Sequence, residues 1–145
     1  MMILKPYKAT HAIHLIVREV EEPVKKLPDF ENWAEANEGP FAWSAEVDHN
    51  VIACGGIGDL WEGVGEAWLL LGKEAVKHRI ALCRVILEKL GGALLRYHRI
   101  QAHARTDFSL THMFLRKLGF QVEGLMKAYY PDRMDAILYS IVKDY

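Results

Sequence analysis

The segment Arg105–Gly124, RTDFSLTHMFLRKLGFQVEG, narrows the choice of folds more than any other stretch of this chain. Leu110, Phe114, Leu115 and Leu118 recur at helical spacing and make one apolar face. Thr106 or Asp107 stands where a side-chain oxygen accepts the first free amides of a helix. Arg116 and Lys117 fall in the last turn and oppose the negative end of the helix dipole. Gly119 supplies the left-handed stop, and Phe120 starts a strand. A capped helix that turns directly into a strand is a unit of α/β architecture.

The rest of the chain extends that reading. Met2–Leu4 forms a short strand closed by Lys5-Pro6, and Thr10 caps a helix with Ile13, Ile16, Val17 and Val20 on one face. A shorter helix is predicted from Pro28 to Ala36, with Phe30, Trp33 and Ala34 inward. Residues 41–47 alternate like a half-buried strand, Asp48-His49-Asn50 turns, and Val51–Ile57 returns as the hairpin partner. Val64–Leu71 reads as a central strand. A long helix follows from about Glu74 to Tyr97, with Val76, Ile80, Cys83, Leu87, Leu90 and Leu94 as its buried stripe. Gly91-Gly92 interrupts it at a cost of about 1 kcal/mol per glycine. Strands at Ile100–Ala104, Gln121–Tyr129 and Asp135–Val142 complete the order β-α-α-β-β-β-α-β-α-β-β.

The 145 residues suffice for one domain with a full core, 1–145. A net charge of −1 gives no electrostatic reason to expect nucleic acid as a partner. Cys54 and Cys83 lie in apolar surroundings at no metal spacing and read as buried free thiols, which suits a reducing compartment. His11 and His14 share a helix face without a third ligand nearby, so no metal site is expected. No apolar run approaches the roughly 20 residues of a membrane span, and no signal peptide opens the chain. The expected location is the cytoplasm, or a particle made there.

The closing L-R-K-L-G-F followed by glycine, set in this order of elements, resembles the GNAT acetyltransferases. The resemblance implies a mixed, mostly antiparallel central sheet of roughly six or seven strands flanked by four helices. It also implies acetyl-CoA as cofactor and a primary amine, on a small molecule or a peptide, as acceptor. GNAT proteins bind the pyrophosphate of acetyl-CoA on backbone amides of a loop, Q/R-x-x-G-x-G/A, that leads into the long helix. Glycines there let phosphate approach the backbone, and the helix dipole helps.

In this chain the matching positions hold Val76, Arg79 and Ala81, so only Ala81 fits the pattern. Two readings stand for the cations Lys73, Lys77, His78 and Arg79. Either they bind phosphate through side chains, or they are the solvated side of a helix start. With Leu70, Leu71, Gly72, Ile80 and Ala81 they make up the candidate cofactor segment, where the strand backbone would receive the pantetheine arm. The family's frequent general acid, a tyrosine, corresponds to Leu115, and a frequent asparagine corresponds to Phe108. Neither replacement can donate a proton.

Candidate catalysts are Glu66, where some GNAT enzymes place a proton-accepting carboxylate, His112 on the helix that lacks the tyrosine, and Tyr129 and Tyr130 in the last hairpin. Each also has a plain structural reading, as a strand-end carboxylate, a surface helix position or hairpin packing.

A second resemblance bears on these departures. The start Met-Met-Ile-x-x-Pro, the Ile52-Ala53-Cys54-Gly55-Gly56 strand, the Ala67-Trp68-Leu69-Leu70 strand and the cationic helix start look like a GNAT-like family of short-tailed bacteriophages. That family includes internal virion proteins, which implies a structural or DNA-ejection role, with protein partners, rather than proven transferase chemistry. Trp61, in a polar loop, is the expected exposed anchor for a partner.

Overall fold

The computed structural model describes residues 1–17 and 19–143. Its elements are β1 (Met2–Pro6), α1 (Ala9–Ile13), α2 (Glu22–Lys25), α3 (Phe30–Ala36), β2 (Ala42–Val47), β3 (Asn50–Trp61) and β4 (Val64–Leu71). They continue with α4 (Arg79–Ala93), β5 (Arg99–Arg105), α5 (Ser109–Lys117), β6 (Gln121–Met126) and β7 (Ala136–Val142). Short 3-10 helices cover Glu19–Glu21 and Lys73–His78. The seven strands lie in the order β1-β2-β3-β4-β5-β7-β6, mostly antiparallel, with β4 parallel to β5. Among the described residues no helix is long and apolar enough to cross a membrane.

The chain divides into two compact units, Met1–Gly58 with Trp68–Leu82, and Asp59–Ala67 with the chain from Cys83 onward. The core of the first unit gathers Tyr7, Ala12, Leu15, Val17, Phe30, Ala34, Cys54 and Leu70. Trp68 meets Tyr7 and Trp33 edge to face at 4.9 and 5.2 Å. The predicted first helix is cut short: α1 ends at Ile13, and Ile16 is exposed. Beta-branched residues at 13, 16 and 17 hold a helix weakly. The carbonyls beyond it find other donors, Lys25 Nζ on Leu15 at 2.6 Å and the Lys73 amide on Ile16 at 2.7 Å. Val20, predicted on the same face, has a side chain outside the described residues. The β2–β3 turn falls where expected, with Asp48 and His49 at φ 49° and 67°, the left-handed pair of a tight hairpin.

The second unit buries Tyr97, Ile100, Leu110, Phe114, Leu115, Leu118, Phe120, Ala136 and Tyr139. The apolar face of α5 is the predicted one, and Gly119 at φ 95° ends it. Its predicted side-chain cap does not form. Asp107 instead lies 3.4 Å from Arg105, and the Thr106 hydroxyl turns to Met134. Trp61 is 68% exposed, as the sequence suggested.

The stripe predicted for the long helix is only partly buried. Leu90 is buried as predicted, but Ile80 and Leu87 are 71% and 48% exposed, and Leu82 and Ala93 are buried instead. Apolar residues lie on both sides of α4, so helical spacing alone does not choose between them. The 3-10 start at Lys73–His78, with three residues per turn, also breaks the phase. Cys54 is buried, whereas Cys83 is only half-buried.

Three measurements check this packing. A Cβ on Gly72 would stand 2.6 Å from the Ile52 carbonyl and 2.8 Å from Leu15, so Gly72→Ala is expected to destabilise by about 1–3 kcal/mol in urea unfolding. Gly91 has open space around it, and Gly91→Ala is expected to stabilise by about 1 kcal/mol. Burial pushes the Cys54 thiol up to about 11 against the pull of the Ser44 hydroxyl, so an aromatic disulfide reagent near pH 8 should label Cys83 alone in the native protein.

Candidate active site

Parallel pairing sets Glu66 of β4 opposite Gln101 of β5, and His103 lies two residues further along the same face of β5. Glu66 Oε1 is 2.8 Å from His103 Nδ1, and the two side chains are 29% and 25% exposed. A carboxylate only accepts, so this contact assigns the ring hydrogen to Nδ1 and leaves Nε2 with a free lone pair in the neutral imidazole. His103 packs against Tyr129 at 4.7 Å and Tyr130 at 5.8 Å, and the two tyrosines meet edge to face at 5.1 Å. Burial raises both phenols first. For Tyr129 the Glu66 charge adds to this, and for Tyr130 the neighbouring Tyr129 and Glu66 do. Both therefore present O–H donors at neutral pH.

Three of the four catalytic candidates from the sequence thus meet in one cluster, and His103 joins them unannounced. Its signal was one of three polar side chains, Gln101, His103 and Arg105, that alternate with alanines along the strand. Such a residue looks like any solvated strand position until Glu66 is placed beside it.

His112 has other work. Its Nε2 lies 2.7 Å from the Arg105 carbonyl and its Nδ1 lies 2.7 Å from the hydroxyl of buried Tyr139. The carbonyl fixes the hydrogen on Nε2, so Nδ1 accepts from Tyr139 and both nitrogens are engaged. Leu115 and Phe108 are buried as packing residues.

The candidate cofactor segment has a clear geometry. The Gly72 amide donates to the Ile52 carbonyl and the Lys73 amide to the Ile16 carbonyl, both at 2.7 Å. The Ala75 amide donates to the Gly72 carbonyl at 3.0 Å. The 3-10 helix Lys73–His78 then uses its later amides internally. The crowding of Gly72 by Ile52 and Leu15 accounts for a glycine at that position. Lys77 is paired with Glu74 at 2.9 Å, whereas Arg79, Ile80 and Ala81 are exposed, His78 is half-buried, and Leu70 and Leu71 are buried. Among the described residues, no three His, Cys, Asp or Glu side chains converge as metal ligands.

The fold is that of the GNAT acetyltransferases. A putative phosphinothricin N-acetyltransferase superposes with a TM-score of 0.75 at 12% identity, covering 100% of both chains. The ribosomal-protein-S18-alanine N-acetyltransferase of Escherichia coli does so at 0.75 and 15%, covering 100% of this chain and 96% of its own. A GNAT-family acetyltransferase from Bacillus anthracis gives 0.68 and 14%, covering 97% and 94%. No family model matches the sequence, and no curated protein matches it significantly.

Two ion pairs of the second unit link its stability to pH. Hydrogen bonds from Arg105 hold the Asp132 carboxyl below its usual range, and Arg99 does the same for Glu123. A carboxyl lowered on folding adds stability above its unfolded value, near pH 4, and that stability is lost as pH falls through the folded value. Asp132→Asn should therefore flatten the drop in the urea midpoint between about pH 5 and pH 3.

Proposed function

We propose that the Glu66–His103 pair and the Tyr129–Tyr130 wall form an amine-acceptor site of the acetyltransferase type. The observation that carries this reading is the 2.8 Å contact that orients His103, in a fold shared with N-acetyltransferases. His103 Nε2 takes the proton of a bound ammonium and leaves a neutral amine, the nucleophile of acetyl transfer. Glu66 holds the imidazole in the required tautomer and offsets the charge it gains, as a carboxylate does behind a catalytic histidine. The tyrosine faces supply an apolar and π-rich wall for the substrate carbon next to the amine. Glu66, read from sequence as the base, becomes the partner of the base.

Acetyl-CoA is the donor that this fold implies, and the backbone of residues 72–78 does not fit its pyrophosphate. The amides at Gly72, Lys73 and Ala75 are already bonded to carbonyls. The same misfit favours a second reading, a GNAT fold kept for assembly with protein partners, as in a bacteriophage virion. Buried Leu115, in place of a proton donor, agrees with it.

Calorimetric titration with acetyl-CoA, with free CoA as control, separates the two. Micromolar binding supports transfer and assigns the phosphates to side chains such as Lys73 and Arg79. No heat up to millimolar ligand supports the assembly reading. In an acetyl-transfer assay, His103→Gln should lower kcat/KM by about 10²–10⁴-fold, and Glu66→Gln by less. Full activity in His103→Gln dismisses the histidine as base.

A further inference from the structure

Arg105 closes β5 two residues beyond His103, so strand alternation puts both side chains on one face. It is 3% exposed, and a guanidinium so buried persists only with partners. Those partners surround the aromatic wall. The fork donates to both oxygens of Asp132, at 3.1 and 2.7 Å, and Nε lies 3.4 Å from Asp107. The guanidinium carbon sits 5.0 Å from the Tyr130 ring centre and 5.5 Å from that of Phe108.

The network continues into the loop backbone. Asp132 accepts the Met134 amide at 3.3 Å, and the Met134 carbonyl accepts the amides of both Tyr129 and Tyr130. Ala128 and Arg133 hold φ of 49° and 68°, an uncommon conformation for residues other than glycine. The loop's own hydrogen bonds shape its backbone. From β5 the buried guanidinium ties it down at Asp132 and the Tyr130 ring, while His103 packs on the two tyrosines.

We infer that Arg105 is the positioning residue of the acceptor wall: it clamps Asp132 and the Tyr130 ring so that Tyr129 and Tyr130 stand against His103. This rests on the acceptor reading of the cluster. The clamp needs the planar fork, since lysine cannot bridge both carboxylate oxygens and lie over a ring together. Arg105 touches neither reacting atom and acts through the loop.

The test compares wild type, Arg105→Lys and Asp132→Asn by residue-resolved hydrogen exchange and by steady-state acetyl transfer to benzylamine and to a lysine-containing peptide. Both variants should speed exchange at the Tyr129 and Tyr130 amides by about tenfold or more, with Ile100 and Ala102 of β5 unchanged. The KM for amine should rise by roughly the same factor, while the KM for acetyl-CoA stays constant. A merely structural loss would scale kcat with the folded fraction and leave the amine KM alone, and that result overturns the proposal. Unchanged exchange at the two tyrosines overturns it as well. Wild-type protein that neither binds nor acetylates either amine removes the acceptor reading itself, and exchange then still decides whether Arg105 holds the wall.

Discussion

The antiparallel pairing of β5 with β7 underlies the candidate site. It runs over seven registered pairs, from Arg99 opposite Val142 to Arg105 opposite Ala136. Ile100, Ala102 and Ala104 face the core, which forces Gln101, His103 and Arg105 to the other side. A slip of one residue would turn Gln101, His103 and Arg105 to the core face and the three apolar side chains away from it. The register therefore puts His103 and Arg105 on one face of the strand. The same strand accepts the parallel partner that brings Glu66.

The donor segment shows the opposite use of backbone groups. A phosphate-binding loop keeps several amides free and aimed at one point, at a cost in unsatisfied donors while no ligand is bound. Here Ile52 and Ile16 carbonyls take the amides of Gly72 and Lys73, and a 3-10 turn closes the next ones. Those bonds serve the local stability of the first unit. The proposed acceptor cluster is well ordered, whereas the candidate cofactor segment is closed by its own hydrogen bonds, and the two functional readings divide along that line.

Much of the fold was legible because its elements carry strong local signals. The apolar face of α5, the stop at Gly119 and the turn at Asp48-His49 each follow from residue type and spacing. The errors came where local signals compete. Apolar residues on two sides of α4 left its buried face undetermined, and carbonyls of Leu15 and Ile16 found long-range donors that end α1 early. At the site, Glu66, Tyr129 and Tyr130 could be named from resemblance, but His103 could not. His112, named from its helix, is spent on Tyr139 and a carbonyl.

The sequence by itself determined the order of elements, the glycine stops and the residue types available for proton transfer. Those depend on neighbours a few positions apart, where periodicity and backbone preference act. Tertiary structure alone decided which histidine meets a carboxylate, which arginine is buried and which amides remain for a ligand. Each of those outcomes depends on groups from distant segments, such as Glu66 with His103 and Arg105 with Asp132, whose meeting is fixed by strand register and burial.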